Sequence, residues 1–263
     1  MLKKITLAIL LLSSSGCEYI GLGCWDRLQR LNYELDSLLD TAGEISAAEL
    51  LGIRGRMSST IKACRESAPF YNDISAVEVG PDSYYTLLDF AIMANDPELT
   101  AEMFERQRLE LSVEFRRDSL ISGESHLETA VYSESDQVVL WLLENGSDPN
   151  QTNDIGASAL HFSGTRTESG LRVTRDLVTA GADIDIRAEN DVTPLIIALR
   201  RGDLRKVQCL VSLGAQVPDD VEAVEILPQF LVDPNDVLAA VEFLKSPNRE
   251  IPDHIASICS TGR

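Results

Sequence analysis

The feature that most constrains this chain is a block of sequence that keeps coming back. Thr86-Leu87-Leu88, Ser125-His126-Leu127, Ser158-Ala159-Leu160-His161 and Thr193-Pro194-Leu195 share one form. Each is followed by a small residue, alanine at 91, 130 and 198 and serine at 163, so the spacings are 39, 33 and 35. A second block recurs in step with the first. Leu142-Leu143-Glu144-Asn145-Gly146-Ser147-Asp148-Pro149-Asn150 parallels Leu177-Val178-Thr179-Ala180-Gly181-Ala182-Asp183-Ile184-Asp185, and Leu213-Gly214-Ala215-Gln216-Val217 is the last copy. A period in this range belongs to stacked supersecondary units, each unable to bury its apolar face alone. The residue types suit a helix, a turn and a helix. Thr or Ser starts a turn into the first helix, and Pro194 suits a first helical position, where no amide partner is lost. A small residue lets two helices approach, and Gly146, Gly181 and Gly214 sit where a helix must end on a left-handed residue.

These blocks resemble the ankyrin signature Thr-Pro-Leu-His-x-Ala, and the resemblance covers residues 82–220, just over half of the chain. It implies an all-α ankyrin-repeat solenoid of about four helix-turn-helix repeats joined by short hairpin loops. The first repeat is degenerate: it lacks the Gly-Ala-Asp ending and is followed by a longer insertion, Arg106 to Glu124. His161 occupies the family's turn-stabilising position. The resemblance also implies a protein partner, held by the hairpin tips and the exposed side of the first helices. Carried onto this chain, those positions are Gln151, Thr152, Asn153 and Asp154 at one tip and Arg187, Glu189, Asn190 and Asp191 at the next. On the first helices they are Tyr132, Arg166, Arg200 and Arg201. Each of these also reads as an ordinary solvated residue. Tyr132 and the two neighbouring arginines stand out because aromatic and Arg side chains are enriched at binding hot spots.

The flanks read as helical caps. Trp25, Leu28, Leu31, Leu35, Leu38 and Leu39 recur at three- and four-residue steps, and Leu50, Ile53, Met57, Ile61 and Cys64 do the same. Thr41-Ala42-Gly43 separates them, and Ser46-Ala47-Ala48-Glu49 has the form of a capping box. A helical hairpin is therefore expected within residues 17–75. Residues 221–263 supply further helical pieces, with Asp236 placed to cap Val237 to Leu244, and read as the cover for the last repeat.

Residues 1–16 read as a signal peptide. Lys3 and Lys4 precede an apolar run from Ile5 to Leu12, and Ser13-Ser14-Ser15-Gly16 leads into Cys17. Eight helical residues span about 12 Å against a hydrocarbon core of about 30 Å, too short to cross. Gly16-Cys17 resembles the lipobox of bacterial lipoproteins, which implies lipidation of Cys17, a periplasm-facing location in the envelope and, with Glu18 next, a leaning to the outer membrane. Ser14 stands where that family usually has Leu, so ordinary secretion, with Cys17 free or bonded, stays open.

With Cys17 spent on lipid, four cysteines remain, and exported proteins form disulfides. Antiparallel helices of similar length bring Cys24 beside Cys64, which by elimination pairs Cys209 with Cys259. Cys209 shares a repeat column with Trp141 and Asp176, so that column is expected to be incompletely buried. A free, buried Cys209 is the alternative.

Charge narrows the partners. The chain has 23 Lys and Arg against 42 Asp and Glu, a net charge of −19 that becomes −21 once Lys3 and Lys4 leave with residues 1–16. Such an excess disfavours nucleic acid and favours basic partners, although it also serves plain solubility. The three histidines, His126, His161 and His254, form no metal or nucleophile motif, and no phosphate-loop pattern is present. We therefore expect no catalytic residues, no metal and no cofactor. The expected function is protein binding from a lipid anchor, as an immunity or inhibitor protein that neutralises a toxin effector such as a secreted phospholipase. An envelope scaffold is the second expectation, and an enzyme or redox protein using a reactive thiol the third.

Overall fold

Leu28, Leu31, Leu35 and Leu39 lie on one side of a helix, and in the computed structural model all four are buried. The structure describes residues 18–39, 46–67, 77–80, 83–85, 87–107, 125–164, 167–219 and 233–260. It is helical, and it divides into two compact units, residues 1–41 with 46–109 and residues 110–263 with 42–45. The first hairpin of the repeating region therefore belongs with the N-terminal helices rather than with residues 125–219.

In the first unit, α1 (Glu18–Leu39) packs on α2 (Ala47–Ser67). The leucine stripe of α1 meets Leu50, Ile53, Met57 and Ile61, the face the spacing predicts. Each such side chain contributes roughly 1.5–3 kcal/mol when fully buried. Ser46 carries the start of α2, its carbonyl accepting from the amides of Glu49 (3.1 Å) and Leu50 (3.2 Å). Next come two short antiparallel strands, β1 (Val77–Gly80) and β2 (Ser83–Tyr85), pairing Val77 with Tyr85 and Glu78 with Tyr84. They are a minor addition to a helical chain, which remains consistent with the all-α expectation. Val77, Val79, Tyr84 and Tyr85 favour extended backbone. Helices α3 (Leu87–Met93) and α4 (Pro97–Gln107) follow, with α3 packed on α2. Asn95 turns the chain at φ 55°, and Asp96 caps α4 through the amide of Leu99 at 3.0 Å.

The second unit repeats one design. α5 (His126–Tyr132) pairs with α6 (Asp136–Glu144), α7 (Ala159–Phe162) with α8 (Glu168–Thr179), and α9 (Pro194–Arg200) with α10 (Leu204–Leu213). The first helices touch in the order α5, α7, α9, and the second helices in the order α6, α8, α10. The small residues Ala130, Ser163 and Ala198 are fully buried between layers, beside Val131, Leu160, Leu195 and Leu199. Val138, Val139, Leu142, Leu171, Val173, Leu177, Val207 and Leu210 fill the other layer. Gly146, Gly181 and Gly214 end the second helices at φ 97°, 100° and 103°, the left-handed region those glycines were expected to supply.

Two further helices, α11 (Pro234–Lys245) and α12 (Asp253–Cys259), return over this stack. α11 touches α9 and α10, and α12 touches α8 and α10. The cap of α11 is Asp233, not Asp236. With Pro234 at the first helical position, Asp233 accepts from the amide of Asn235 at 2.9 Å. Cys209 and Cys259 are joined by a disulfide, with Cα atoms 5.5 Å apart. The Cys209 column is incompletely sealed at Trp141 and Asp176, as expected, but not at Cys209 itself. Cys209 is 0% and Cys259 1% exposed, because Ile255 and Leu171 close over them and Ile251 and Ile258 pack at the edge. The column is uneven: Asp176, one repeat earlier, is half-buried and held by Arg175 at 2.7 Å. Among the described residues, no helix is long and apolar enough to cross a membrane.

Candidate partner-binding surface

Beyond each second helix the chain runs out to a hairpin tip, and short polar side chains there tie one repeat to the next. Asp148 accepts from the amide of Asn150 at 2.9 Å, turning the chain. Asn150 then reaches the following repeat, donating to the carbonyl of Gly181 at 2.9 Å and accepting from the amide of Asp183 at 2.7 Å. Asp185 acts in the same way one repeat on, accepting from the amide of Gln216 at 2.9 Å. The tips themselves touch through the amide of Glu189, which donates to the carbonyl of Ile155 at 3.0 Å. Gly156 (φ 72°) lies beneath, where an added Cβ would stand 3.4 Å from the Cα of Ala188.

Each tip is also closed on itself. The first is bridged at Thr152 and Ser158, and the second at Ala188 and Val192. His161 locks the two together from below. The Ser158 amide donates to its Nδ1 at 3.1 Å, so Nε2 carries the hydrogen and donates to the carbonyl of Val192 at 3.1 Å. Burial holds this imidazole below its ordinary pKa, and the charge of Lys206 acts in the same direction. The turn-stabilising role expected of His161 is what this geometry performs.

The positions carried over by resemblance separate into three groups. Thr152, Asp154, Arg187, Glu189, Asn190 and Asp191 are exposed on the tips, and Tyr132 (64% exposed) and Arg201 are exposed at the ends of α5 and α9. Gln151 and Arg200 are half-buried. Asn153 is not a surface residue at all. It is 7% exposed, and its Oδ1 accepts from the amides of Ile155 (3.2 Å) and Ala157 (3.1 Å), so it shapes the tip from inside. A tight turn needs an internal acceptor, and a short amide supplies one. Arg166 lies outside the described residues, as do Cys17 and the signal segment, and so do the side chains of Cys24 and Cys64.

Ile155, 49% exposed at the apex of the first tip, is a candidate contact that the sequence comparison of repeats passed over. Nothing in a single apolar residue within a polar loop marks it as exposed. Around it the tips are acidic: Asp148, Asp154, Asp183, Glu189 and Asp191 are all exposed. Arg187 pairs with Asp191 at 3.2 Å, but both are so exposed that the pair contributes little. The edge therefore presents a negative potential with a fixed backbone beneath it, suited to a basic surface. Among the described residues, no three His, Cys, Asp or Glu side chains stand together as a metal site. No protein-family model matches this chain, and no curated protein matches it.

Proposed function

We propose that residues 125–219 form an ankyrin-type solenoid whose acidic hairpin tips grip a basic protein. In this reading the chain is a lipid-anchored immunity or inhibitor protein of the bacterial envelope, and the protein it grips is a toxin effector. The observation that carries the binding part is the cross-bonding of the tips through Asn150, Asp185 and the Ile155–Glu189 contact. A surface already ordered before its partner arrives loses little entropy on association, which favours tight binding. The Gly16-Cys17 junction supports the anchor, and the net charge of −19 supports a basic partner. Cys209 and Cys259 are spent on a buried disulfide, which weighs against a reactive thiol at either position.

The test is affinity capture from the native envelope with the full-length protein, followed by assay of whatever is recovered. One stoichiometric partner with hydrolase activity, inhibited by this protein and released when Asp154 and Asp191 are reversed to Lys, supports the reading. A diffuse set of envelope-assembly proteins, insensitive to those substitutions, replaces it with a scaffold.

A further inference from the structure

The two arginines of α8 each have a carboxylate: Arg172 meets Asp136 at 2.7 Å, and Arg175 meets Asp176 at 2.7 Å. One repeat on, at the turn between α9 and α10, this pairing stops. Between Val192 and Pro218 the sequence sets Arg200, Arg201, Arg205 and Lys206 against a single acid, Asp203, a local charge of +3 in a chain of −19. Asp203 is engaged in starting α10, its Oδ1 accepting from the amide of Lys206 at 3.0 Å. Arg200 and Arg205 are half-buried and the Nε of each is sealed from solvent, yet among the described residues neither guanidinium finds an acceptor. α11 packs on both helices, but its acids Asp236 and Glu242 are exposed.

The fourth cation of the turn adds to this charge. α7 spans four residues, whereas α5 and α9 each span seven, and ending a helix early leaves backbone carbonyls without partners. Lys206, 2% exposed, sends its Nζ to the carbonyls of Leu160 (3.1 Å), His161 (3.3 Å) and Ser163 (2.6 Å). Three carbonyls complement a three-donor ammonium, and none of them carries a full charge to cancel it. The buried acid of an earlier repeat, Glu134, is by contrast met by the hydroxyl of Thr167.

Donors removed from water without an acceptor are costly, and so are like charges side by side. Arg200 ends α9, where a cation suits the helix dipole. Arg205 stands in the first turn of α10, where a cation does not, and that turn holds no acid. Helix stability therefore accounts for one arginine at most. What both lack is an acceptor, and a guanidinium matches a planar oxyanion through two parallel hydrogen bonds.

We propose that the α9–α10 turn is a second contact surface, opposite in sign to the tips, that takes the carboxylates of a short acidic segment of a protein partner. The turn lies a helix length, about 10–15 Å, from the tips, so one partner with an acidic segment beside a basic face engages both. A long polyanion or an anionic membrane meets the repulsion of a chain of net charge −19, whereas a few side-chain carboxylates reach the arginines alone. The inference rests on the reading of the stack as a protein binder, not on the acidic tips as the place of grip.

The arginine Nε–Hε NMR signals of the full chain, followed during titration with hexaglutamate at low ionic strength, test it. The Arg200 and Arg205 signals should shift and saturate, and those of Arg172 and Arg175, already paired, should not. Arg200→Gln and Arg205→Gln should each weaken binding about tenfold, since a hydrogen bond between charged groups is lost. The double variant should melt no lower than the unmodified protein, because it removes two unsatisfied cations rather than a contact. Asp154→Lys with Asp191→Lys should not weaken hexaglutamate binding, and the arginine variants should still capture a partner held by the tips, so the two readings fail separately. The proposal is overturned by the absence of a saturable shift, by undiminished binding or a lowered melting temperature in the double variant, or by inorganic phosphate binding as tightly as the peptide.

Discussion

Cutting the Cys209–Cys259 bond releases two positions that lie 50 residues apart in sequence. Closing a loop of that length takes about 14 cal/mol/K from the unfolded chain, which is about 4 kcal/mol at 25 °C in the chain-entropy model. Replacing both cysteines with alanine removes two sulfurs packed against Leu171 and Ile255 as well, costing roughly 1 kcal/mol apiece. Urea unfolding reads the difference. The protein has two tryptophans, Trp25 in α1 and Trp141 in α6, so Trp25→Phe leaves one reporter in the unit that holds the bond. A unit of this size unfolds with a slope of roughly 2 kcal/mol per molar urea, so reduction should lower the midpoint by about 2 M. Burial gives a second readout. With Cys209 0% and Cys259 1% exposed, a reductant should reach the bond only when the tail opens, so reduction in native buffer should lag far behind reduction in urea. Midpoints within about 0.5 M of each other would refute the reasoning, as would equal reduction rates in the two solvents.

Four other outcomes follow from local structure. Gly170→Ala should destabilise the second unit by roughly 2–4 kcal/mol in thermal or urea unfolding, because its Cβ would stand 2.4 Å from the Gly164 carbonyl oxygen. Gly55→Ala, which meets open space inside α2, should instead stabilise the first unit by up to about 1 kcal/mol. Asn153→Ala strips the acceptor from two tip amides and should cost about 1–3 kcal/mol, whereas a residue acting only at a binding surface would leave the melting curve unmoved. Burial raises the Asp96 carboxyl, but the Leu99 amide, Lys62 and Ser58 outweigh it and hold the pKa below 3.8. That stabilisation is present above 3.8 and is lost as pH falls through the lower folded value, so acid unfolding of the first unit should be shallower in Asp96→Asn.

The parts of the fold that were legible in the sequence are those where chemistry repeats. Four helix-starting blocks and three left-handed glycines gave the hairpins and nearly their bounds, and the leucine stripe of α1 gave its buried face. The pair of short strands was not legible, because six paired residues beside a helix-rich chain carry too little periodicity. Asn153 was misplaced on the surface because its neighbours Thr152 and Asp154 are exposed, and a turn hides its acceptor from any rule based on polarity. Lys206 and Glu134 escaped notice for a similar reason. Charged residues are almost never sealed from water, so nothing in their own letters announced that the early end of α7 needed a donor. Cys209 was paired with Cys259 by elimination, and its burial was not legible because the tail helix, distant in sequence, supplies it.

The bonds that tie the tips together fall on Asn150, Asp183 and Asp185, while Thr152, Asp154, Arg187 and Asp191 point outward from the same loops. The residues that set the spacing of the edge are thus different from the residues that face outward. Mutation is free to rewrite the outward set without disturbing the pitch at which its members are presented. A lineage keeping the first set and varying the second would retain the same ruler while changing what is written on it, and under the proposed reading a changed partner surface would be met by new side chains on an unaltered frame.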